Sequence, residues 1–396
     1  MTTEDQGITL QAQCLCKAHT FTTKVPGSKL PLPASICHCT SCRNVTGAMY
    51  NCNIDWPGLA DDIRNSDLKS YEFTANCKVL FCGICSSPMF WDSHYDDEPQ
   101  TLGVFTGVLD NVDVDNMIKY TRQIFVGDTK DGGVSPWLQN INHDGAKLRR
   151  WMKKPEEGEE LDDNWPGTLE TPGSEVAQGQ DIPIRCHCKG VDLMLRPKNV
   201  DFSAEDFPAM GTDSFPAFFD RKSQKHLATL DPCRSCRLSV GADIMNWTFA
   251  MLKQIDFPDK SGGPDFPRNT HELKAAVDSP NRDPRYGTLA IYRSSPDVQR
   301  YFCSRCSALV FYAADDRPEI IDVTVGLLHA PEGARVESLL AWHLGAKMMG
   351  EEDFERGWRR NFVMSVKDAS EKWRIEKGYP KTWIRLAFEG AKNSEE

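Results

Sequence analysis

The 396-residue sequence contains no run of about 20 apolar residues, which a membrane-spanning helix requires. Positive charge is also scarce: 46 lysines and arginines face 57 aspartates and glutamates, giving a formal net charge of −11. Nucleic acids and anionic membranes attract basic surfaces, so neither is an expected partner. The segment from Met1 to Gln13 has acidic residues and no apolar core, so we expect no secretory leader and predict a cytoplasmic location.

Cysteine, by contrast, is abundant, with 15 residues. In a chain predicted to be cytoplasmic, this number indicates metal binding rather than disulfides. Cys37, Cys39 and Cys42 are spaced C-x-C-x-x-C, too closely for a sensible disulfide arrangement, but they can converge on one zinc ion. A site with three protein ligands keeps a fourth position open for water or substrate, which is typical of catalytic zinc.

The second half of the sequence repeats the landmarks of the first half in the same order, which indicates one module used twice. The repeated pairs are Cys14–Lys17 with Cys186–Lys189, Cys37–Arg43 with Asp231–Arg237, and Phe81–Ser86 with Phe302–Ser307. Between the two copies, Lys153–Asp181 is rich in Pro, Gly and acidic residues and is predicted to be a linker.

Thirteen of the cysteines sort into sets. Two four-cysteine sets are predicted to hold structural zinc, because four thiolates close a tetrahedron; they are Cys14, Cys16, Cys82 and Cys85, and Cys186, Cys188, Cys303 and Cys306. The three-cysteine set, Cys37, Cys39 and Cys42, is predicted to be catalytic. Its altered copy, Asp231, Cys233 and Cys236, is expected to be degenerate, since two thiolates alone rarely retain zinc, although Asp231 could complete a fourth zinc site.

Local patterns give further expectations. Each C-x-C is predicted to lie in a strand, where residues two apart face the same side, and each C-x-x-C in a turn, with Gly83 supplying backbone freedom. Leu102–Leu109 is predicted to be a buried strand, and the chain beyond Val336 to be helical and to pack across one or both modules. Two inserts enlarge the second copy, at about Phe202–Lys225 and Phe257–Arg285, the latter with a short helix around His271–Val277.

Four other side chains are candidates for roles near the three-cysteine set. His38 should point away from the metal, and Arg43 is either a partner of thiolates or of a substrate carboxylate, or simply a surface arginine. Asp92 and His94 are either acid–base partners or loop caps.

The order C-x-C, C-H-C-x-x-C-R-x-x-T-G and F-C-x-x-C resembles the glutathione-dependent formaldehyde-activating enzyme (GFA) family, which also contains centromere protein V. The resemblance covers Gln13 to about Leu138 well and Arg185 to about Leu328 in outline. It implies a mainly β fold of two tandem zinc-binding β-tent domains, at 8–150 and 182–345, with a linker at 151–181 and a helical C-terminal region at 346–396. It also implies structural zinc at Cys14, Cys16, Cys82 and Cys85, and catalytic zinc at Cys37, Cys39 and Cys42.

Three functional hypotheses follow. The leading one is a zinc-dependent carbon–sulfur lyase, or thiol-adduct enzyme, acting on a small molecule such as a glutathione–carbonyl adduct. The first alternative is a family member repurposed for dehydration, isomerisation or ring chemistry on a specialised metabolite. The second is a non-catalytic zinc-binding interaction protein, a reading that the net charge of −11 disfavours for a nucleic-acid partner.

Overall fold

The computed structural model describes residues 7–94, 100–166, 179–201, 218–220, 222–259 and 263–393, without the side chains of residues 351, 352, 392 and 393. Most of the predicted insert Phe202–Lys225 lies outside the described residues. So do residues 167–178 of the predicted linker and residues 260–262 of the second insert.

Two large sheets dominate the molecule, one in each repeat. The strands of the first module are β1 (Ile8–Gln13), β2 (Thr20–Val25), β3 (Leu32–Cys37), β4 (Asn51–Asp55), β5 (Lys69–Thr74), β6 (Cys77–Phe81), β7 (Pro88–Ser93), β8 (Thr101–Phe105), β9 (Ile118–Ile124) and β10 (Arg149–Arg150). Those of the second module are β11 (Ile182–Arg185), β12 (Asp192–Leu195), β13 (His226–Asp231), β14 (Met245–Met251), β15 (Ile255–Asp256), β16 (Leu289–Ser295), β17 (Val298–Cys303), β18 (Leu309–Ala314), β19 (Ile320–Thr324) and β20 (Leu340–Trp342).

The helices among the described residues are few and mostly short. They are α1 (Thr40–Thr46), α2 (Ala60–Arg64), α3 (Arg234–Val240), α4 (Thr270–Asp278), α5 (Trp358–Glu376) and α6 (Trp383–Asn393). The predicted short helix in the second insert is confirmed by α4. None of the described helices combines the length and apolar character that crossing a bilayer requires.

The two large sheets have the same strand order. It runs β9-β3-β4-β8-β7-β6-β5 in the first module, with β10 added at one edge, and β20-β13-β14-β19-β18-β17-β16 in the second. In both sheets the last main strand runs parallel to its neighbour, β9 to β3 and β20 to β13, and the short β10 runs parallel to β9; the other pairs are antiparallel. The predicted fold class, mainly β with two similar modules and a helical C-terminal region, is therefore confirmed. The domain boundaries given above remain predictions.

The local predictions at the cysteine pairs were wrong in two respects. Each C-x-C lies in a turn after its strand, because β1 ends at Gln13 and β11 at Arg185, and the turn closes through positive φ at Lys17 and Lys189. Each C-x-x-C does lie in a turn, but Ser86 and Ser307 adopt the positive φ rather than Gly83. Each turn reverses the chain direction, so that the two sulfurs of a pair can bind the same metal ion.

Two longer predictions also need correction. The strand predicted over Leu102–Leu109 ends at Phe105, and a 3-10 turn follows at Thr106–Val108. The helix predicted beyond Val336 begins only at Trp358, because Leu340–Trp342 forms β20 in parallel with β13. Buried and half-buried residues alternate along β20, as expected for a strand rather than a helix. The strand forms the edge of the second sheet and pairs with β13, as β9 pairs with β3 in the first sheet.

The modules contact each other through a pair of equivalent glycine contacts. The Gly107 amide donates to the Gly241 carbonyl at 2.9 Å, and the Gly326 amide donates to the Gly47 carbonyl at 3.1 Å. Gly47 and Gly241 end α1 and α3 in the left-handed conformation, whereas Gly107 and Gly326 lie in the 3-10 turns of the opposite module. The C-terminal ends of α1 and α3 are thus each hydrogen-bonded to a turn of the other module.

Helix α5 contacts both modules, as predicted for the helical region. The Arg359 guanidinium is buried and pairs with Asp243 of the second module at 2.9 Å. The same side chain donates to the carbonyl of Asp110 in the first module at 3.1 Å, as does the Trp358 indole. A buried charge pair at this junction fixes the helix relative to both sheets.

Candidate metal centres

The first four-cysteine set lies where the turn after β1 meets the turn after β6. Cys14 and Cys16 have their Sγ atoms 3.6 Å apart, and Cys16 and Cys82 have theirs 3.5 Å apart. Backbone amides point at the sulfurs: His19 donates to Cys14 at 3.3 Å, and Ile84 donates to Cys82 at 3.4 Å. Amides in these positions stabilise thiolates, the form that binds metal.

The second four-cysteine set reproduces this geometry. The Sγ atoms of Cys186 and Cys188 are 3.6 Å apart, and those of Cys188 and Cys303 are 3.4 Å apart. Val191 and Cys306 donate their amides to Cys186 and Cys303 at 3.2 and 3.4 Å. A zinc tetrahedron with bonds of about 2.3 Å has edges of about 3.8 Å, so both sets fit a zinc ion with little adjustment.

The three-cysteine set is built where β3 passes into α1. Cys37 ends β3, Cys39 is the N-cap of α1, and Cys42 lies in its first turn, where its amide donates to the Cys39 sulfur at 3.2 Å. The three sulfurs lie within 4.8 Å of one another, and among the described residues no fourth Cys, His, Asp or Glu belongs to the group. The set therefore fits a metal ion and leaves one coordination position for another molecule.

Charge is readily placed on this set. Hydrogen bonds from Cys37 and Cys42 lower the pKa of the Cys39 thiol to about 3, whereas hydrogen bonding to its neighbours and burial raise the pKa of Cys42 well above its usual value. Among the three sulfurs, these contacts favour negative charge on Cys39. A cation placed among the three sulfurs would favour the thiolate form of the other two.

His38 and Arg43 support this set without belonging to it. The His38 ring is buried and contacts the Gln123 amide oxygen at 2.8 Å, away from the metal group, as expected. The Arg43 guanidinium is 6% exposed and donates to the His38 carbonyl at 3.3 Å and to the Thr40 hydroxyl at 3.2 Å. The reading of Arg43 as a surface arginine was wrong, since it ties α1 to the preceding strand.

Asp92 and His94 are not brought to the set as an acid–base pair. The Asp92 carboxylate, on the interior strand β7, accepts hydrogen bonds from the Arg64 guanidinium at 2.9 and 3.0 Å and forms an ion pair with it. Cys52 and Cys77 are buried and belong to none of the metal groups found among the described residues.

A cavity of about 270 Å³ adjoins α1 at the boundary of the modules. Arg43 and Thr40 line it from the first module, together with Lys130, and His329 lines it from the second. The Asp128 carboxylate accepts the Thr40 amide at 3.0 Å and so docks this loop on the start of α1. Sequence reasoning missed Lys130 and His329 as lining residues, because the fold of the Asp128 loop places Lys130 there and the docking of the two modules places His329 there.

The altered set is also assembled. One carboxylate oxygen of Asp231 and the sulfurs of Cys233 and Cys236 lie within 4.8 Å of one another. Sequence reasoning missed Arg300, which lies against this set, although a signal was present: the gapless alignment of the two C-x-x-C segments places Arg300 opposite Val79.

The fold and the cysteine-rich sets define a mainly β protein with side-chain groups that could hold metal ions such as zinc. Residues 9–128, which lie in the first module, match the family model described as glutathione-dependent formaldehyde-activating enzyme (GFA). This family includes enzymes, and the match spans both the first four-cysteine set and the three-cysteine set. Searches of the curated proteins and of the solved structures found no match.

Proposed function

We propose that the protein is a zinc-dependent carbon–sulfur lyase, or thiol-adduct enzyme, whose active module is the first. The observation that carries the proposal is the incomplete ligand set of Cys37, Cys39 and Cys42 in a module that matches the GFA family model. The two four-cysteine sets would hold structural zinc and the three-cysteine set catalytic zinc. A small-molecule substrate, a cytoplasmic location and the absence of nucleic-acid or membrane partners remain part of the proposal.

The chemistry is the reversible addition of a thiol to a carbonyl carbon. In the forward direction a carbon–sulfur bond forms and the thiol proton passes to the carbonyl oxygen; the lyase direction reverses both changes. When bound, zinc would lower the pKa of a substrate thiol and so supply its thiolate near neutral pH. Three protein thiolates temper the Lewis acidity of the ion, so thiol activation suits this set better than strong hydrolysis.

Side chains that line the adjoining cavity would bind the part of the substrate that does not contact the zinc. Arg43 and Lys130 offer positive charge to a carboxylate in the adjoining cavity, and the Thr40 hydroxyl offers a hydrogen bond. Glutathione carries two carboxylates, which makes it a suitable thiol for such a cavity. Because His38 is buried and its pKa is lowered to about 4 by burial, it would remain neutral and keep Gln123 in place.

One observation favours the repurposed alternative. The cavity that adjoins α1 is lined by both modules, so the second module contributes directly to the proposed substrate region. A larger carbonyl compound than formaldehyde would use such a surface. Turnover of such a compound without any dependence on glutathione would favour this alternative.

Calorimetric titration of the zinc-loaded protein with glutathione tests the proposal. We expect binding by the wild type and by Cys233→Ser, the matched change in the second module, and at least a tenfold loss of affinity in Cys39→Ser. Equal binding by all three proteins, or binding by none, would contradict thiol chemistry at the three-cysteine set. Circular dichroism of each variant would verify that the fold is retained.

A further inference from the structure

The altered set in the second module has a different electrostatic environment from its counterpart. The Asp231 carboxylate accepts the Cys233 amide at 2.9 Å, and the Cys233 sulfur lies 3.5 Å from the Ser235 hydroxyl. In the first module the position of Asp231 is occupied by Cys37. A carboxylate is a harder ligand than a thiolate, so the set is already less suited to zinc.

A buried arginine lies directly against this set. Arg300 is 2% exposed; both terminal nitrogens of its guanidinium lie 3.9 Å from the Cys236 sulfur, and one donates to the Ser235 hydroxyl at 3.0 Å. Its guanidinium also lies 5.0 Å from the centre of the Tyr312 ring. In the first module Val79 takes this place and pairs with Trp91, as Arg300 pairs with Tyr312.

Arg300 adds a positive charge to the second module and does not replace the arginine that the two modules share. The arginine that follows each set is present in both copies, as Arg43 and Arg237. If each three-residue set held a zinc ion, the three ionised ligands of either set would carry the same total charge. The set in the second module would then have one more positive charge beside it, the buried Arg300 guanidinium. Without zinc, this guanidinium supplies the positive charge that the second set would otherwise lack, and a buried charge requires such a partner.

The other buried carboxylate nearby does not compete for Arg300. Asp322 is held by both terminal nitrogens of Arg317, at 2.5 and 3.0 Å. Because Asp322 is held by Arg317, the direct contacts of the Arg300 guanidinium are with Cys236 and Ser235 of the altered segment. A zinc ion at about 2.3 Å from the Cys236 sulfur would lie no more than about 6 Å from both guanidinium terminal nitrogens.

The C-terminal segment also covers the altered set. Gly350 packs so closely on Cys233 that a Cβ at Gly350 would lie 2.5 Å from the Cys233 Cβ. The Asp353 carboxylate then accepts the Arg234 amide at 2.7 Å, at the start of α3. Backbone therefore occupies space beside Cys233 that an incoming ligand would need.

From these contacts we propose that the Asp231, Cys233 and Cys236 set holds no metal, and that the guanidinium of Arg300 is its permanent cation. The second module keeps its four-cysteine set and has exchanged the other metal site for a buried ion-pair cluster. This inference concerns the second module and stands apart from the function proposed for the first.

The zinc content per chain, measured by inductively coupled plasma mass spectrometry, tests the inference. We expect the same content in the wild type and in the double variant Cys233→Ser/Cys236→Ser. The matched double variant Cys39→Ser/Cys42→Ser should lose one ion if the proposed function is correct, so that the two proposals fail separately. Loss of one ion from the Cys233→Ser/Cys236→Ser variant would overturn the inference.

A gain of metal provides the complementary test. Asp231→Cys restores the third thiol, and we expect it to leave the zinc content unchanged while Arg300 is present. The double variant Asp231→Cys/Arg300→Val, which copies the first module, should gain one ion. A double variant that keeps its other zinc ions but gains none would overturn the role of Arg300. Should the variants fail to fold, an anomalous difference map of the wild type decides, because a zinc peak between Cys233 and Cys236 contradicts the inference.

Discussion

At the scale of single residues, the four-cysteine and three-cysteine sets differ in the sequence separation of the ligands that a metal ion would join. Cys16 and Cys82 are 66 residues apart in sequence, so that a metal between them closes a long loop. Cys39 and Cys42 are three residues apart and belong to one turn of chain. Closing the long loop constrains the unfolded chain far more than closing the short one.

This difference predicts unequal effects of two identical substitutions. Cys82→Ser should lose one zinc ion and reduce the free energy of unfolding by roughly 3–5 kcal/mol, the range for loss of a long-range cross-link. Cys37→Ser should also lose one ion but reduce it by only about 1 kcal/mol, since its links are local. Urea unfolding of both variants measures the difference, and equal losses would contradict the division into structural and catalytic sites.

The sequence was sufficient to group the cysteines, because C-x-C, C-x-x-C and their repetition are local patterns with one sensible metal chemistry. It could not reveal the environment of Arg43, which is buried by a loop almost 90 residues away at Asp128. Nor did it identify Lys130 and His329 as neighbours, because their proximity depends on the way the modules dock.

At the scale of elements, the fold class followed from the resemblance, whereas the strand order came only from the structure. The turns were harder to predict, since Ser86 and Ser307 take positive φ where glycine is the usual residue. The strand β20 was mistaken for the start of a helix, because a three-residue strand offers too few positions to show a period.

The 3-10 turn at Val325–Leu327 has no room for added volume. A Cβ at Gly326 would lie 2.3 Å from the Ala48 carbonyl oxygen and 2.4 Å from that of Gly47, so Gly326→Ala should destabilise the protein by roughly 2 kcal/mol or more. The control is Gly390→Ala in α6, where nothing lies within 4 Å of the added Cβ, and which should be neutral or stabilising. Thermal unfolding of both variants checks the prediction; equal melting temperatures would show that the module contact is looser than described.

At the scale of the whole molecule, the two modules and α5 form one interlocked unit. Each module supplies a glycine turn to the other, and α5 is joined to both through Arg359. The substrate region proposed above lies at the same boundary, since His329 of the second module and Arg43 of the first both line the cavity. Stability of this boundary and binding at the cavity should therefore change together.

The buried pair of Arg359 and Asp243 provides the test at this scale. Arg359→Met leaves the Asp243 carboxylate buried without its cation and should reduce the free energy of unfolding by about 3–5 kcal/mol. The double variant Asp243→Leu/Arg359→Met removes both charges and should recover a large part of this loss. Denaturant unfolding measures both, and a double variant as unstable as the sum of its single changes would argue against a direct pair.

The absorption spectrum of the cobalt(II)-substituted protein, titrated with glutathione, tests the central claim most directly. Cobalt in place of zinc reports the ligands around the metal. We predict that glutathione changes the spectrum of the wild type, by binding at the open position of the Cys37, Cys39 and Cys42 set, and leaves the spectrum of Cys37→Ser unchanged. A wild-type spectrum that does not respond to glutathione, or the same response in both proteins, would contradict thiol binding at this set.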